Sequence, residues 1–150
     1  SLDNLDRRIL DRLQRDADLT NQTLADEVGL SPSACLKRVK RLRESGIIER
    51  QVALLSPEAM KPCLHMVVEV TMERDHKPLY QRFLQRAIAA PEVKQCYQVP
   101  DFVLIVVVPD MDAYDRFCDS VLYADDNMRK FRTLLSRKRN KFDTAALIAD

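Results

Sequence analysis

The chain has 150 residues, of which 46% are hydrophobic and 31% are charged, and its formal net charge is +1. This composition is typical of a folded globular protein and excludes wholesale disorder and a fibrous repeat. The near-neutral balance excludes a protein that coats nucleic acid indiscriminately, although it is compatible with a local basic patch.

The sequence shows no membrane segment and no metal-binding motif. No stretch approaches the roughly 18 consecutive apolar residues of a membrane span, and residues 1–10 are charged rather than signal-like. The four cysteines are far apart and lack a CxxC spacing, and only His65 and His76 are available to join them. We therefore expect a cytoplasmic protein with free thiols, and we expect no metal site, no disulfide framework, no cofactor and no membrane contact.

Two short helices are predicted at the start of the chain. Apolar residues recur on one helical face between Leu5 and Leu13, and charged residues occupy the other face. The second helix begins near Thr20 or Asn21, either of which can cap it. It ends at Gly29, which can adopt the left-handed conformation of a tight helix exit.

A third helix is predicted to begin at Ser31-Pro32. The serine hydroxyl can accept a backbone N–H there, and proline at the first helical position loses no hydrogen bond. The helix ends at Gly46, and its predicted buried side consists of Leu36, Val39 and Leu42. Because a short Gly-containing turn joins the second and third helices, the pattern indicates a helix-turn-helix whose third helix reads DNA.

The side of the third helix opposite these apolar residues is basic. It carries Ser33, Ala34, Lys37, Lys40, Arg41 and Glu44, with Arg38 on the flank. Small residues at the helix start, beginning with the cap Ser31, let the backbone approach the floor of the major groove. We expect Lys37 and Arg38 to read bases, and Lys40 and Arg41 to contact phosphates. The alternative is a solvated helix face, but the caps and the turn upstream favour double-stranded DNA as the partner.

The segment after Gly46 marks the end of the first third of the chain. Residues Ile47–Leu54 alternate loosely and predict a strand or wing, in which Arg50 is positioned to contact the DNA backbone. Proline then becomes frequent, and the hydrophobic period changes from that of a helix to that of a strand. We expect a winged helix-turn-helix domain in residues 1–60 and a second domain in residues 61–150.

The pattern of residues 61–150 predicts the order β-α-β-β-α-β, which is the split motif of ferredoxin-like domains. The overall fold class is therefore α+β. Alternating or continuous apolar runs predict strands, and amphipathic periods predict helices. The strands lie at residues 64–72, 93–99, 102–108 and 130–138, and the helices lie at residues 78–90 and 111–123.

The third predicted strand, Phe102–Val108, is apolar without interruption. In a sheet with both helices on one side, the other face of this strand should be polar. We therefore expect a second sheet from an identical subunit to cover it, which predicts an obligate homodimer. The alternative is that a loop or the C-terminal tail covers this face.

Two other function classes are alternatives to DNA binding. An enzyme lacks support because the sequence shows no Gly-rich phosphate loop, no paired catalytic carboxylates and no nucleophile motif, so we assign no catalytic residue. A helix-turn-helix that binds only protein is the other alternative, and its DNA titration would be undetectable or independent of salt.

The recurring segments of this chain resemble those of the Lrp/AsnC, or feast/famine, regulators over nearly its whole length. They are LDRRIL at residues 5–10, LADEVGLSPS at 24–33, CLKRVKRL at 35–42, SGII at 45–48 and VPDMDAY at 108–114. The resemblance implies a winged helix-turn-helix and a dimerising ferredoxin-like effector domain. It further implies assembly of dimers into larger rings such as octamers, and control of amino-acid metabolism by an amino acid or a related metabolite.

The chain departs from the resembled family at two points. Ala34 stands where the family often has a second proline. Residues 99–102 replace the family's usual loop of the type Thr-Gly-Asp-Tyr-Asp, either through a true deletion or because residues are missing between Val99 and Pro100. The resemblance places effector binding at this loop, by position, on Tyr97, Gln98, Val99 and Asp101.

Overall fold

The computed structural model describes residues 1–148 and divides into two compact units. The first contains Ser1–Leu54 and the segment that begins at Lys141, and the second contains Leu55–Asn140. The predicted boundary near residue 60 differs from this division, as does the assignment of the whole C-terminal segment to the second domain. Two hydrogen bonds hold the tail to the first unit: Gln14 Nε2 donates to Ala146 O at 3.2 Å, and Ala146 N donates to Gln14 Oε1 at 2.9 Å.

Three helices form the first unit, as predicted. They are α1 (Asn4–Arg15), α2 (Asn21–Val28) and α3 (Pro32–Glu44). Their shared apolar core consists of Ile9, Leu24, Ala25, Val28, Cys35, Val39 and Leu42. Because each helix contributes only one buried face, the unit keeps a long exposed side on α3.

Local capping explains where these helices begin and end. Asp3 caps α1 and forms a capping box with Asp6, so each side chain accepts the other residue's backbone N–H. Thr20, rather than Asn21, caps α2. Gly29 and Gly46 have φ values of 73° and 80°, a left-handed conformation that strains any residue with a Cβ.

The prediction of a strand over Ile47–Leu54 is wrong. This segment is irregular, and the side chains of Val52 and Leu54 are exposed. A strand needs a neighbouring strand to take its backbone hydrogen bonds, and none pairs with this segment within residues 1–148. Alternation in the sequence was therefore insufficient to predict a strand here.

The second unit has the predicted β-α-β-β-α-β order. Its elements are β1 (Leu64–Met72), α4 (Lys77–Ala89), β2 (Val93–Gln98), β3 (Phe102–Val108), α5 (Met111–Phe117) and β4 (Met128–Leu135), preceded by a 3₁₀ turn at Pro57–Ala59. The predicted second helix divides in two, because α5 continues as a π-helical turn over Cys118–Leu122. The last strand begins and ends slightly earlier than predicted. Within residues 1–148, no helix is both long and apolar enough to cross a membrane.

The four strands form one antiparallel sheet in the order β2-β3-β1-β4, and both helices supply side chains to a core on one face. Alternate residues of β3 are fully buried in that core, and Phe102 packs against Tyr80 and Phe83 with ring centroids 5.2 and 5.0 Å away. The residues between them, including Ile105, lie on the opposite face and are half-buried. The uninterrupted apolar character of β3 thus extends to both faces of the sheet.

Candidate functional site

The start of α3 is held by two local hydrogen bonds. The Ser31 hydroxyl accepts the Ala34 N–H at 3.2 Å, which caps the helix. Asn21 at the start of α2 donates its side-chain amide to Pro32 O at 2.8 Å. Together with the left-handed Gly29, these contacts set the geometry of the turn between α2 and α3. The Ser-Pro helix start that the sequence predicts is confirmed.

The buried side of α3 differs at one position from the prediction. Cys35, Val39 and Leu42 are buried, whereas the side chain of Leu36 is 59% exposed. Residues i, i+4 and i+7 share one helical face, and Cys35 rather than Leu36 has this spacing to the other two. Leu36 therefore lies towards solvent, beside the basic face.

The predicted basic face of α3 is accessible. Ser33, Lys37 and Lys40 are exposed, and Lys40 Nζ lies 3.8 Å from Glu44 Oε1. Ala34 is half-buried at the edge of a shallow depression of about 300 Å³, which Lys37, Arg38 and Arg41 also line. The helix thus presents a small, concave and cationic surface at its N-terminal half.

Arg38 and Arg41 are bonded to two carboxylates at the start of α1. Arg38 Nη1 lies 2.6 Å from Asp3 Oδ2 and 3.0 Å from Asp6 Oδ1. Arg41 Nη2 lies 2.6 Å from each oxygen of Asp6. We call these four residues the α1–α3 ion cluster. The sequence does not predict this cluster, because Asp6 falls on the charged face of α1, where an acid is ordinarily solvated.

The two carboxylates of the ion cluster differ in their exposure. The side chain of Asp6 is 1% exposed, and that of Asp3 is 53% exposed. The hydrogen bond from Arg38 lowers the pKa of Asp3 to about 2, and the backbone N–H of Asp6 acts in the same direction. The same carboxylates raise the pKa of Arg38. Asp3 and Arg38 are therefore charged near neutral pH.

Arg50 lies in the irregular segment after α3 and is exposed. The neighbouring Gln51 bridges two parts of the unit, accepting from Arg43 Nη2 at 3.0 Å and donating to Ala17 O at 3.3 Å. These contacts anchor the segment one residue beyond Arg50. The position of Arg50 is thus defined by Gln51 rather than by a wing strand.

The four residues predicted to bind an effector lie in and beside the β2–β3 hairpin. Tyr97, Gln98 and Val99 are exposed, and the hairpin closes with Val99 N donating to Asp101 O at 2.9 Å. The carboxylate of Asp101 accepts the Met72 N–H at 2.8 Å and the Tyr80 hydroxyl. Asp101 therefore ties the hairpin to β1 and α4, and the loop closes without a left-handed residue.

A second depression, of about 260 Å³, lies within the second unit between α5, the π-helical turn and β4. Tyr114 and Cys118 line it, and burial raises the pKa of both groups, so that both stay protonated near neutral pH. The Tyr114 hydroxyl is hydrogen-bonded to Thr133. Neither side chain is activated as a nucleophile, and no group of three or more metal-ligating residues converges anywhere in residues 1–148.

Two family models match the chain. Residues 2–49 match the winged helix-turn-helix DNA-binding domain, and residues 65–146 match the Lrp/AsnC ligand binding domain. The leucine-responsive regulatory protein of Escherichia coli K12 is 36% identical over 135 residues, covering 88% of this chain and 82% of that protein. An uncharacterised HTH-type transcriptional regulator, y4tD, of Sinorhizobium fredii is 38% identical over 143 residues, covering 93% and 85%.

Two solved structures have a similar fold over nearly the whole chain. An AsnC family transcriptional regulator from Agrobacterium tumefaciens has a TM-score of 0.86 and 33% identity, covering 97% of both chains. A transcriptional regulator from Neisseria meningitidis in complex with L-Met has a TM-score of 0.86 and 32% identity, covering 98% of this chain and 97% of that one.

Proposed function

Because the chain belongs to the Lrp/AsnC family of transcription regulators, we propose that it binds specific DNA sites as a homodimer. An amino acid or a related metabolite controls this binding in our proposal. It has a DNA-binding helix-turn-helix and a ligand-binding domain, and its relatives are regulators rather than enzymes. We further propose that it acts in the cytoplasm on genes of amino-acid metabolism.

The accessible basic face of α3 is the observation that carries DNA binding. Lys37 is exposed and makes no ion pair within residues 1–148, so its ammonium group is free to reach a base edge or a phosphate. Ser33 and Ala34 add little bulk at the end of α3 that would enter the major groove. In this proposal Lys37 and Arg38 read bases, whereas Lys40, Arg41 and Arg50 contact phosphates.

The test compares Lys37→Ala with Lys77→Ala, which removes an exposed lysine from α4 in the other unit. The probe is a duplex that the wild-type protein selects from a random-sequence pool, measured against an unselected duplex. Lys37→Ala should weaken specific binding by about 1–3 kcal/mol and reduce discrimination between the two duplexes. Lys77→Ala should change neither value. Wild-type binding that is undetectable or independent of salt refutes the function and favours a protein-binding module.

The open face of the sheet supports dimerisation. In register across the sheet, Val67 of β1 lies between Ile105 of β3 and Leu134 of β4, and all three are on the face away from the core helices. An apolar strip across central strands favours burial against a second protein surface. A second copy of the chain provides a matching strip, because a two-fold dimer pairs the same patch with itself.

Sedimentation velocity tests the dimer. Ile105→Glu places a charge in the proposed interface and should yield monomers. The matched variant Ile88→Glu adds the same charge at an apolar side chain on α4 that is 69% exposed, and it should remain dimeric. A dimeric Ile105→Glu protein, or a monomeric wild type, refutes this interface. Larger assemblies such as octamers would appear as additional species that depend on concentration.

Effector binding is proposed at the β2–β3 hairpin, and the relative solved with L-Met supports an amino acid as the ligand class. Exposed Tyr97, Gln98 and Val99 are the proposed contacts. The carboxylate of Asp101 already has two partners, so its proposed part is to order the hairpin that carries them. A ligand that prefers the folded state raises the thermal midpoint. One of the twenty amino acids should therefore raise it, and Tyr97→Ala should abolish the shift; no shift with any of them refutes an amino-acid effector.

A further inference from the structure

We propose that Asp3 competes with DNA for Arg38, holding this guanidinium in the free protein and releasing it when a phosphate or base edge approaches. Asp6 is the permanent partner that keeps Arg38 and Arg41 in position during the exchange. The inference rests on the proposed function of α3, and it assigns to two acidic residues outside α3 a part in setting its affinity for DNA.

The asymmetry of the ion cluster supports these two parts. Asp6 is buried and accepts four hydrogen bonds, three from the guanidinium groups and one from the Asp3 N–H. Withdrawing its partners would leave an uncompensated buried charge, which is strongly unfavourable. Asp3 is half exposed and bonds Arg38 through one oxygen, Oδ2. When that bond breaks, water can hydrate the carboxylate, so this bond is the exchangeable one.

The exchange changes the net charge that the α3 surface presents to DNA. In the free protein, the two carboxylates of the ion cluster offset the two guanidinium charges of Arg38 and Arg41. Binding to DNA without sequence preference depends on cationic groups that neutralise phosphates. By occupying Arg38, Asp3 lowers the affinity for any duplex. It thereby keeps the protein from being retained at sites to which the rest of the α3 surface does not fit.

The variant Asp3→Asn isolates this effect without removing the helix cap. Asparagine caps helices as well as aspartate does, and its side-chain oxygen can still accept the Asp6 N–H, which Asp3 Oδ1 accepts at 2.8 Å. With the oxygen kept at the cap, the substitution removes the carboxylate charge that faces Arg38 and leaves an amide nitrogen there, which cannot accept a hydrogen bond from the guanidinium. Helical content measured by circular dichroism should therefore match the wild type.

The matched control is Asp18→Asn. Asp18 is an exposed acid between α1 and α2 whose side chain makes no ion pair within residues 1–148. Both variants change the net charge of the same unit by one. Any difference between them therefore measures the contact with Arg38 rather than the general gain of positive charge.

The experiment is a double-mutant cycle, titrating each protein with a random-sequence duplex at about 0.1 M salt. Asp3→Asn should tighten binding about two- to fivefold, the equivalent of one exposed ion pair, and Asp18→Asn should have a smaller effect. In an Arg38→Ala background, Asp3→Asn should raise the affinity no more than Asp18→Asn does, because the side chain that pairs with Asp3 is absent.

Three outcomes would overturn the inference. The first is that Asp3→Asn raises the affinity for the random-sequence duplex no more than Asp18→Asn does. The second is that Asp3→Asn raises this affinity by the same factor in the Arg38→Ala background as in the wild type. The third is that Asp3→Asn weakens binding. In each case the wild-type protein still binds DNA with a normal salt dependence, so the proposed function stands. If instead the wild type fails to bind DNA at all, the function itself is wrong.

Discussion

Replacing Asp6 with asparagine tests how strongly the ion cluster joins α1 to α3. Asp6 Oδ1 accepts from Arg38 and Arg41, and Oδ2 accepts from Arg41 and the Asp3 N–H. Asparagine has nearly the same shape, but one of its two positions is an amide nitrogen that can only donate. In either orientation, at least one donor in the cluster therefore faces another donor.

The structure limits the cost of this substitution. Breaking a fully buried ion pair costs about 3–5 kcal/mol. Here the Arg41 side chain is 59% exposed and is open to hydration, and Arg38 keeps its 2.6 Å contact with Asp3. The loss is therefore closer to that of a hydrogen bond to a charged group, which contributes about 1.5–3 kcal/mol. We expect the free energy of unfolding of the first unit to fall by about 2 kcal/mol.

The positions of the aromatic residues make the assay specific for one unit. The chain has no tryptophan, and its four tyrosines all lie in the second unit, within residues 80–123. In a urea titration, tyrosine fluorescence therefore follows the second unit, whereas far-ultraviolet circular dichroism also follows α1, α2 and α3. Asp6→Asn should lower the midpoint of the circular-dichroism component that belongs to the first unit and leave the fluorescence midpoint unchanged.

The control for this measurement is Asp11→Asn on the same helix, which removes an ion pair with the exposed Arg15. Such pairs contribute little, so this variant should stay within about 0.5 kcal/mol of the wild type. If Asp6→Asn is no more destabilising than Asp11→Asn, the ion cluster does not stabilise the first unit and the reasoning is refuted.

Three further substitutions test other contacts. Ser31→Ala should lower the free energy of unfolding of the first unit by about 1 kcal/mol in the same titration, because the cap of α3 is lost, whereas Ser31→Asn should preserve it. Gln14→Ala should remove both hydrogen bonds to Ala146. Amide hydrogen exchange at Ala146 should then become fast, while the amides of the helical core stay protected. An Ala146 amide that remains protected would contradict this contact. Tyr80→Phe should remove the phenol whose pKa is raised to about 12 by its bond to Asp101. A raised pKa contributes stability below the ordinary value near 10, and this contribution is lost as pH rises through about 12. An ultraviolet titration should therefore lose a phenol that ionises near pH 12, and retention of that component would contradict the assignment.

Helix boundaries in the first unit were predictable because local chemistry determines them. Ser31 and Pro32 specify a helix start, and Gly29 and Gly46 supply left-handed exits, whatever surrounds them. The identity of the buried face was less predictable. Cys35 and Leu36 are both apolar and Leu36 is the more hydrophobic, but helical spacing to Val39 and Leu42 places Cys35 on the face that packs against α1 and α2. The error at Leu36 therefore came from hydrophobicity and not from missing tertiary information.

The ion cluster was not predictable from the local pattern. Asp6 lies among charged residues on the polar side of α1, where an acid is ordinarily solvated. It is buried because α3 brings Arg38 and Arg41 across it from more than thirty positions away in the chain. The segment Ile47–Leu54 shows the converse case, since its alternation fits a strand but no partner strand within residues 1–148 completes it.

The distribution of charge in the first unit shows how a chain with almost no net charge can bind DNA. Ser1–Leu54 holds ten basic and nine acidic residues, yet α3 alone carries five of the basic residues and only one acidic residue, Glu44. At about 0.1 M salt, exposed charges act over roughly 10 Å. A DNA molecule in contact with α3 therefore meets a surface that stays cationic even when Asp3 and Asp6 offset Arg38 and Arg41, whereas a distant one meets a nearly neutral unit. Electrostatic attraction should contribute mainly after docking, so single substitutions on α3 should change the dissociation rate more than the association rate.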